Sequence, residues 1–118
     1  MTVIYVASPY SKGSISDNVR RACFAGDEIL RRRAFPFIPH LSHFWDLISP
    51  KPWGIWLRID FALLAKCDAL LRLPGESIGA DAEVAEAMRL GKPIYYDLKD
   101  IPDVKVTERI RTLLTKEE

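Results

Sequence analysis

The segment 73–87 constrains the fold of this chain more than any other, because it joins a strand pattern directly to a helix pattern. The segment begins at the end of the apolar run 69–73. From residue 79 apolar residues recur at helical spacing as far as Gly91, a typical helix C-terminal cap. The turn between the two patterns places Ser77 and Gly79 at the start of the helix. Free backbone N–H groups and the helix dipole attract anions at that position.

The same alternation of strand and helix patterns continues along the rest of the chain. The predicted strands are short apolar runs bounded by turn residues: 3–6, 35–38, 69–73, 93–96 and a short fifth strand at 104–106. The predicted helices have apolar residues at helical spacing: 17–33, 53–66, 79–90 and 107–115. Residues 39–52 are expected to form an irregular connection. This alternation predicts a doubly wound α/β fold, with a four- to five-stranded parallel sheet and helices on both faces.

Length and charge limit the classes of function. The 118 residues are expected to form a single domain, 1–118, since the chain is too short for two. Seventeen basic and sixteen acidic residues give a net charge of +1, which indicates neither a nucleic acid polymer nor an anionic membrane as a partner. No segment has the pattern of a signal peptide or a membrane span, so a cytoplasmic protein is expected.

Two carboxylates are candidates for catalysis. Glu83 falls in the first turns of the helix at 79–90, where the dipole favours an ionised carboxylate; a simple dipole-compensating role is the alternative. Asp60 shares a helical face with Trp53 and Trp56, and burial there would raise its pKa, as a proton donor requires. The alternative for Asp60 is a carboxylate bound to backbone N–H groups. One ionised and one protonated carboxyl group are what the cleavage of a glycosidic bond needs.

Polar residues after the first two strands complete the candidate site, because ligands bind beyond the carboxyl ends of parallel strands. The loop after strand one carries hydroxyls and a cation that could hold a phosphate or a sugar hydroxyl: Ser8, Tyr10, Ser11 and Lys12. The glycine spacings of the common phosphate-binding loops are absent. His40, His43 and Asp46 allow a metal site, but lining a base pocket, with His40 among its residues, or capping the connection is preferred. Neither a metal nor a cofactor is expected.

Together these residues resemble the nucleoside 2-deoxyribosyltransferase-like superfamily, which includes nucleoside deoxyribosyltransferases and nucleotide N-glycosidases. The likeness runs from Val3 to about Tyr96 and is greatest to a short, poorly characterised branch with the same Pro-His segment after strand two. It rests on three elements: Ala-Ser-Pro-Tyr-Ser at 7–11, an aspartate seven residues before Cys-Asp-Ala-Leu at 67–70, and Ser77-x-Gly79-x-x-x-Glu83. The resemblance implies a Rossmann- or flavodoxin-like fold.

The resemblance also implies roles for individual residues. Glu83 corresponds to the glutamate that attacks the anomeric carbon, and Asp60 to the aspartate that assists near the sugar and the leaving base. Ser77 and Gly79 correspond to the turn that holds the 5′ end of the substrate. Tyr5 and the loop after strand one, residues 8–12, correspond to the segment that lines the sugar and base pocket. The implied substrate is a nucleoside or a (deoxy)nucleoside 5′-monophosphate, cleaved by a hydrolase or a 2-deoxyribosyltransferase.

Two features of the sequence depart from the family pattern. Deoxyribosyltransferases complete their site with an asparagine-containing segment of a neighbouring subunit, and residues 97–118 contain no equivalent. The serine with which a partner subunit of the nucleotide hydrolases binds phosphate has no evident counterpart either. A homo-oligomer, dimer or larger, is still expected, because three tryptophans and an aromatic connection exceed what one small core can cover. The alternatives are a catalytically silent nucleotide-binding or sensing domain of the same fold and, with less support, a flavodoxin-like binding module.

Overall fold

The computed structural model describes residues 1–102, which form a four-stranded parallel sheet with helices on both faces. The strands are β1 (Val3–Ala7), β2 (Phe35–Phe37), β3 (Ala69–Arg72) and β4 (Ile94–Tyr95). The helices are α1 (Ile15–Arg31), α2 (His43–Ile48), α3 (Trp53–Leu64) and α4 (Ile78–Arg89). Short 3₁₀ turns cover Pro39–Ser42 and Leu98–Asp100. The predicted fifth strand, 104–106, and the last helix, 107–115, lie outside the described residues.

The strand order is β2-β1-β3-β4, so the chain reverses its direction of winding between β1 and β3. Tyr5 is in register with Phe37 of β2 on one side and with Leu70 of β3 on the other. This is the doubly wound order of flavodoxin-like folds, and the predicted fold class is confirmed. Ligands bind such sheets at the point where the winding reverses, beyond the carboxyl ends of β1 and β3.

Alternation along β1 divides the core between the two faces of the sheet. Ile4 and Val6 pack on the face that α1 covers, with Ala22 and Ile29. Tyr5 and Ala7 point to the opposite face, where they pack with Leu64 of α3 and with Ala80 and Ala87 of α4. Each helix therefore buries one apolar stripe, and α4 lies directly over the carboxyl end of β1.

Local signals in the sequence start and end the two helices that flank the site. The hydroxyl of Ser14 accepts from the backbone N–H of Asp17 at 3.3 Å and begins α1, and Ser77 accepts from Ala80 at 3.0 Å and begins α4. Gly91, with φ of 71°, follows the end of α4 in the left-handed conformation that glycine adopts without strain. Within residues 1–102 no helix is long and apolar enough to span a bilayer.

The expectation of an irregular connection over 39–52 is wrong. Pro39 occupies the first position of a 3₁₀ turn, where its missing N–H costs nothing, and α2 follows without a break. The six-residue helix α2 is too short to be stable by itself. It is held by Asp46, which bonds to the indole of Trp56 in α3 and to the backbone N–H of Lys51.

Candidate active site

A cavity of about 490 Å³ opens beyond the carboxyl ends of β1 and β3, where the topology predicts a binding site. It is enclosed by the loop after β1, the 3₁₀ turn with α2, the first three turns of α3 and the start of α4. All but one of the residues predicted for the site line this cavity: Ser8, Tyr10, Ser11, Lys12, His40, Asp60, Ser77, Gly79 and Glu83.

Glu83 is the sixth residue of α4 and is 6% exposed, at the inner end of the cavity. The hydroxyl of Tyr5 donates a hydrogen bond to its Oε2. Tyr5 itself is wholly buried and does not line the cavity, which corrects the expectation that it forms part of the substrate pocket. The alternation of β1 turns Tyr5 toward α4, so that it holds Glu83 from within the core.

Burial controls the protonation of both carboxyl groups. Desolvation raises the pKa of Asp60 to about 6, against a hydrogen bond with Glu83 that lowers it. Desolvation also raises the pKa of Glu83 to about 8, while the hydrogen bond from Tyr5 lowers it and the charge of Asp60 raises it. The pair therefore carries one proton around neutral pH. We attribute this to burial, since both groups are removed from water and lie close enough to affect each other.

The raised pKa of Glu83 differs from the expectation that the helix dipole keeps Glu83 ionised. The effect of the dipole is confined to the first turn of a helix, and Glu83 lies in the second turn of α4, beyond the free N–H groups. Burial opposes the charge there and outweighs the dipole. Asp60 follows the expectation, because it is half-buried on the face of α3 that carries Trp56 and Leu57, and its pKa is raised.

The turn between β3 and α4 is organised by Arg72, which the sequence analysis did not include. Its guanidinium donates to the carbonyl oxygens of Leu73 and Gly75 and to the carboxylate of Asp81, the last at 3.0 Å. Its charge also lowers the pKa of Glu83. A single arginine at the end of the otherwise apolar run 69–73 was the signal that could have identified it.

The loop after β1 is fixed from below by Asn18 of α1, a second residue that was not predicted. Asn18 is 2% exposed, and its Nδ2 donates to the carbonyl oxygens of Tyr10 at 2.7 Å and Lys12 at 2.8 Å. Lys12 reaches across the mouth of the cavity to Glu76, with Nζ and Oε2 3.0 Å apart. An amide at a buried position of the apolar pattern in 17–33 was the available signal.

Aromatic side chains pack beside this loop. His40 is buried, and its Nε2 donates to the carbonyl oxygen of Pro9 at 2.8 Å; burial lowers the pKa of His40 and favours the neutral ring. Tyr10 is hydrogen-bonded to Nδ1 of His43. Within residues 1–102, no three His, Cys, Asp or Glu side chains are grouped as a metal site requires.

Three further residues line the cavity: Asp46, Trp53 and Trp56. Trp53, on the helical face of Asp60, is 61% exposed. A Cβ placed on Gly79 would lie 3.9 Å from Nε1 of Trp53, so this indole stands over the start of α4. An apolar, partly exposed wall of this kind suits a planar ring.

Comparison with known proteins places the chain in a family and identifies structures that share its fold. A family model described as a domain of unknown function, DUF7768, matches residues 2–97. The structure resembles a 2-deoxyribosyltransferase from Bacillus psychrosaccharolyticus with a TM-score of 0.60 and 17% sequence identity, over 79% of this chain and 69% of that one. It also resembles a 2-deoxyribosyltransferase from Leishmania mexicana with a TM-score of 0.59 and 19% identity, over 80% and 62% of the two chains. At these identities the likeness establishes a shared fold. No curated protein matches the sequence significantly.

Proposed function

The chain belongs to the DUF7768 family, whose function is unknown, and from the geometry of its site we propose that it cleaves N-glycosidic bonds. The proposed substrate is a nucleoside or a (deoxy)nucleoside 5′-monophosphate, and Glu83 is the proposed nucleophile. The observation that carries the proposal is the presence of two carboxyl groups at the same cavity, Glu83 buried and Asp60 half-buried, where desolvation raises the pKa of each. The two similar structures are 2-deoxyribosyltransferases, which supports the same chemistry.

The pair can perform both halves of a double displacement. In the first half, a carboxylate oxygen of Glu83 bonds to the anomeric carbon while the bond from that carbon to the base nitrogen breaks. The electron pair of the broken bond stays on the base, which takes a proton from Asp60. In the second half, water or another base attacks the anomeric carbon, gives its proton to Asp60 and releases Glu83. Water as the acceptor makes the protein a hydrolase, and a second base makes it a transferase.

The protonation state of the free protein is part of this proposal. Since burial favours the proton on Glu83 over Asp60, substrate binding must move it to Asp60 before attack. The positive charge that develops on the sugar stabilises an ionised Glu83, and the hydrogen bond from Tyr5 favours the same form. The proton can pass between them within the cavity, because the two carboxyl groups both line it and lie close enough to shift each other's pKa.

The other residues of the cavity are proposed to position the substrate. Ser77 and Gly79, at the start of α4, and the hydroxyls of Ser8 and Ser11 face the cavity where a sugar 5′ end or a phosphate would lie. Tyr10, His40 and Trp53 would contact the base. No metal or cofactor is proposed. A homo-oligomer is proposed, because α2 exposes a row of apolar side chains beside the cavity mouth: Phe44, Trp45, Leu47 and Ile48.

A second candidate is a catalytically silent nucleotide-binding domain. The raised pKa of Glu83 favours it, since a protonated carboxyl group is not a nucleophile. The two functions are separated by a chromatographic screen of nucleosides and 5′-monophosphates for released base, with and without a second base. Glu83→Ala is expected to lose several orders of magnitude in rate. Glu86→Ala, which removes a partly buried carboxylate that is paired with Arg89 on the same helix and does not line the cavity, is the matched control and should retain activity.

Equal activity of Glu83→Ala and the wild type on the best substrate would remove Glu83 from the mechanism. Nucleotide binding without base release from any substrate would establish the silent domain instead.

A further inference from the structure

We propose that Asp46 makes the cavity selective for bases that carry an exocyclic amino group, such as adenine and cytosine, over their oxo counterparts. The inference rests on the proposed function, because it assigns the base to the aromatic wall of the same cavity. It concerns a residue outside the pair of Glu83 and Asp60 and predicts which of the possible substrates are preferred.

The carboxylate of Asp46 is held at one oxygen. Its Oδ1 accepts from the indole N–H of Trp56 at 2.6 Å and from the backbone N–H of Lys51 at 3.1 Å. Among residues 1–102, no hydrogen bond reaches its Oδ2. Asp46 lines the cavity beside Trp56, so Oδ2 is the oxygen that remains for a ligand. Because two donors fix the group, a hydrogen bond to a ligand costs little additional side-chain entropy.

The carboxylate is also ionised at neutral pH. The hydrogen bond from Trp56 and then that from Lys51 lower the pKa of Asp46 below its usual range. The ammonium group of Lys51 does not form a direct ion pair with it. Lys51 Nζ donates to the carbonyl oxygen and hydroxyl of Ser49, and it lies over the rings of Trp45 and Trp56, 4.7 and 5.5 Å from their centroids. Asp46 therefore presents an ionised carboxylate to the cavity, although the charge of Lys51 lies near enough to lower its pKa as well.

The surroundings of Asp46 determine what this charge can recognise. Trp53, Trp56 and Leu57 give the same wall large apolar surfaces, on which a planar base can pack. A carboxylate in such a wall accepts hydrogen bonds from N–H groups and repels carbonyl oxygens. An exocyclic amino group presents two N–H bonds, and a carboxylate is a known acceptor for the amino group of cytosine. An oxo base presents an oxygen lone pair at the same ring position.

The test compares bases that differ at that position and in the proton that the oxo base carries on the neighbouring ring nitrogen. Specificity constants are measured for the 2′-deoxynucleosides of adenine and hypoxanthine, and of cytosine and uracil, with and without a 5′-phosphate. The wild type is expected to prefer the amino member of each pair by roughly ten-fold or more. In Asp46→Asn the amide oxygen still accepts from Trp56 and Lys51, but the free position becomes a donor. The amino-to-oxo ratio should fall at least roughly ten-fold, through better cleavage of the oxo substrates as well as poorer cleavage of the amino ones.

A binding measurement separates this inference from the proposed function. Quenching of tryptophan fluorescence by the free bases adenine, hypoxanthine, cytosine and uracil reports the same preference without any catalysis. If no nucleoside is cleaved but adenine and cytosine bind better than their counterparts, the proposed function fails and the role of Asp46 stands. Equal binding or cleavage of both members of each pair by the wild type overturns the role of Asp46.

If folded Asp46→Asn kept the wild-type ratio of specificity constants for amino and oxo bases, the role of Asp46 would also be overturned. If that variant does not fold, Trp56→Phe provides the second test. It removes one donor to Oδ1 and keeps the charge of Asp46, so the preference should weaken but keep its direction. A preference for oxo bases in Trp56→Phe or in the wild type contradicts the inference.

Discussion

The hydroxyl of Tyr5 donates a hydrogen bond to Oε2 of Glu83 from within the core, on the side of the carboxyl group away from the cavity. Tyr5 lies in the central strand β1 and Glu83 in the helix that covers it, so the bond joins the sheet to the site. It supplies the one strong donor to a carboxylate that is otherwise desolvated. A nucleophile held in this way has one oxygen fixed by the fold and can present the other to a substrate.

Tyr5→Phe removes this donor and retains the ring that packs against Phe37, with centroids 5.6 Å apart. The hydrogen bond lowers the pKa of Glu83, so its loss raises that pKa further. We expect the basic limb of the activity profile, which reports Glu83, to move to higher pH and the specificity constant to fall by roughly one order of magnitude or more. The free energy of unfolding should fall by about 1–3 kcal/mol, the cost of a buried oxygen without a donor.

The measurements are kcat/KM as a function of pH and chemical denaturation. Tyr96→Phe, at an exposed tyrosine, serves as the control and should change neither. A basic limb that stays in place in Tyr5→Phe would show that Tyr5 supports only the packing of the core.

The free energy of unfolding should fall as the pH rises, because Asp60 and Glu83 bind protons more tightly in the folded state than in the unfolded state. Their contribution to stability is complete below their unfolded pKa values of about 4. That contribution is lost as the pH rises through the folded pKa values of about 6 and about 8. Glu83→Gln cannot ionise, and it is therefore expected to melt several degrees above the wild type at pH 8.5 and close to it at pH 5.

Circular dichroism melting curves at pH 5, 7 and 8.5 test this expectation. Glu86→Gln is the matched control, because Glu86 has a pKa that its hydrogen bond with Arg89 lowers, and its removal should not stabilise the protein at high pH. Parallel pH dependences of Glu83→Gln and the wild type would mean that Glu83 ionises normally in the folded protein.

The sequence was sufficient for the features that depend on local pattern. The four strands and three long helices follow from apolar periodicity, and the convergence of three loops follows from the parallel order of the strands. Features that depend on a contact between distant segments were not accessible. Helix α2 is held by the bond of Asp46 to Trp56, ten positions later, and Tyr5 meets Glu83 across most of the chain. The protonation of Glu83 depends on burial, which local pattern does not give.

Asp60→Asn should change the pH profile as well as the rate. The active pair carries one proton, so the wild type is expected to show a bell-shaped profile with limbs near pH 6 and pH 8. The amide cannot donate an acidic proton to the base, and turnover should fall roughly hundred-fold. It also removes the negative charge that raises the pKa of Glu83, so the limb that reports Glu83 should move to lower pH.

Steady-state kinetics between pH 4.5 and 9.5 decide the role of Asp60. A variant that raises only KM would make Asp60 a binding residue. A substrate with a better leaving group offers a further check, since it needs less protonation and should regain part of the lost rate in Asp60→Asn but not in Glu83→Ala.

Assembly should depend on the apolar side chains of α2. Phe44 is 69% exposed and Ile48 84% exposed, on a helix that adjoins the cavity through Asp46. A self-association that covers them removes apolar surface from water. We expect the wild type to be a dimer or larger by light scattering, and Ile48→Glu to dissociate it and reduce activity. Met88→Glu, at an exposed position of α4, is the control. A fully active wild-type monomer at assay concentration would contradict the prediction.

Monophosphates should be cleaved better than free nucleosides, and the ion pair between Lys12 and Glu76 should limit that preference. Ser77 at the start of α4 and the hydroxyls of Ser8 and Ser11 can donate to a dianionic phosphate, with bonds stronger than those to a neutral hydroxyl. Lys12 stands at the same mouth but is paired with Glu76 at 3.0 Å. The ion pair is exposed, so Lys12 loses little free energy when it exchanges Glu76 for a phosphate.

Glu76→Gln should therefore raise the ratio of kcat/KM for a monophosphate to that for its nucleoside, and Lys12→Ala should lower this ratio. Both changes should shrink at high salt, which screens exposed charges. Equal specificity constants for nucleosides and their monophosphates in the wild type, or opposite changes in the two variants, would place the phosphate elsewhere.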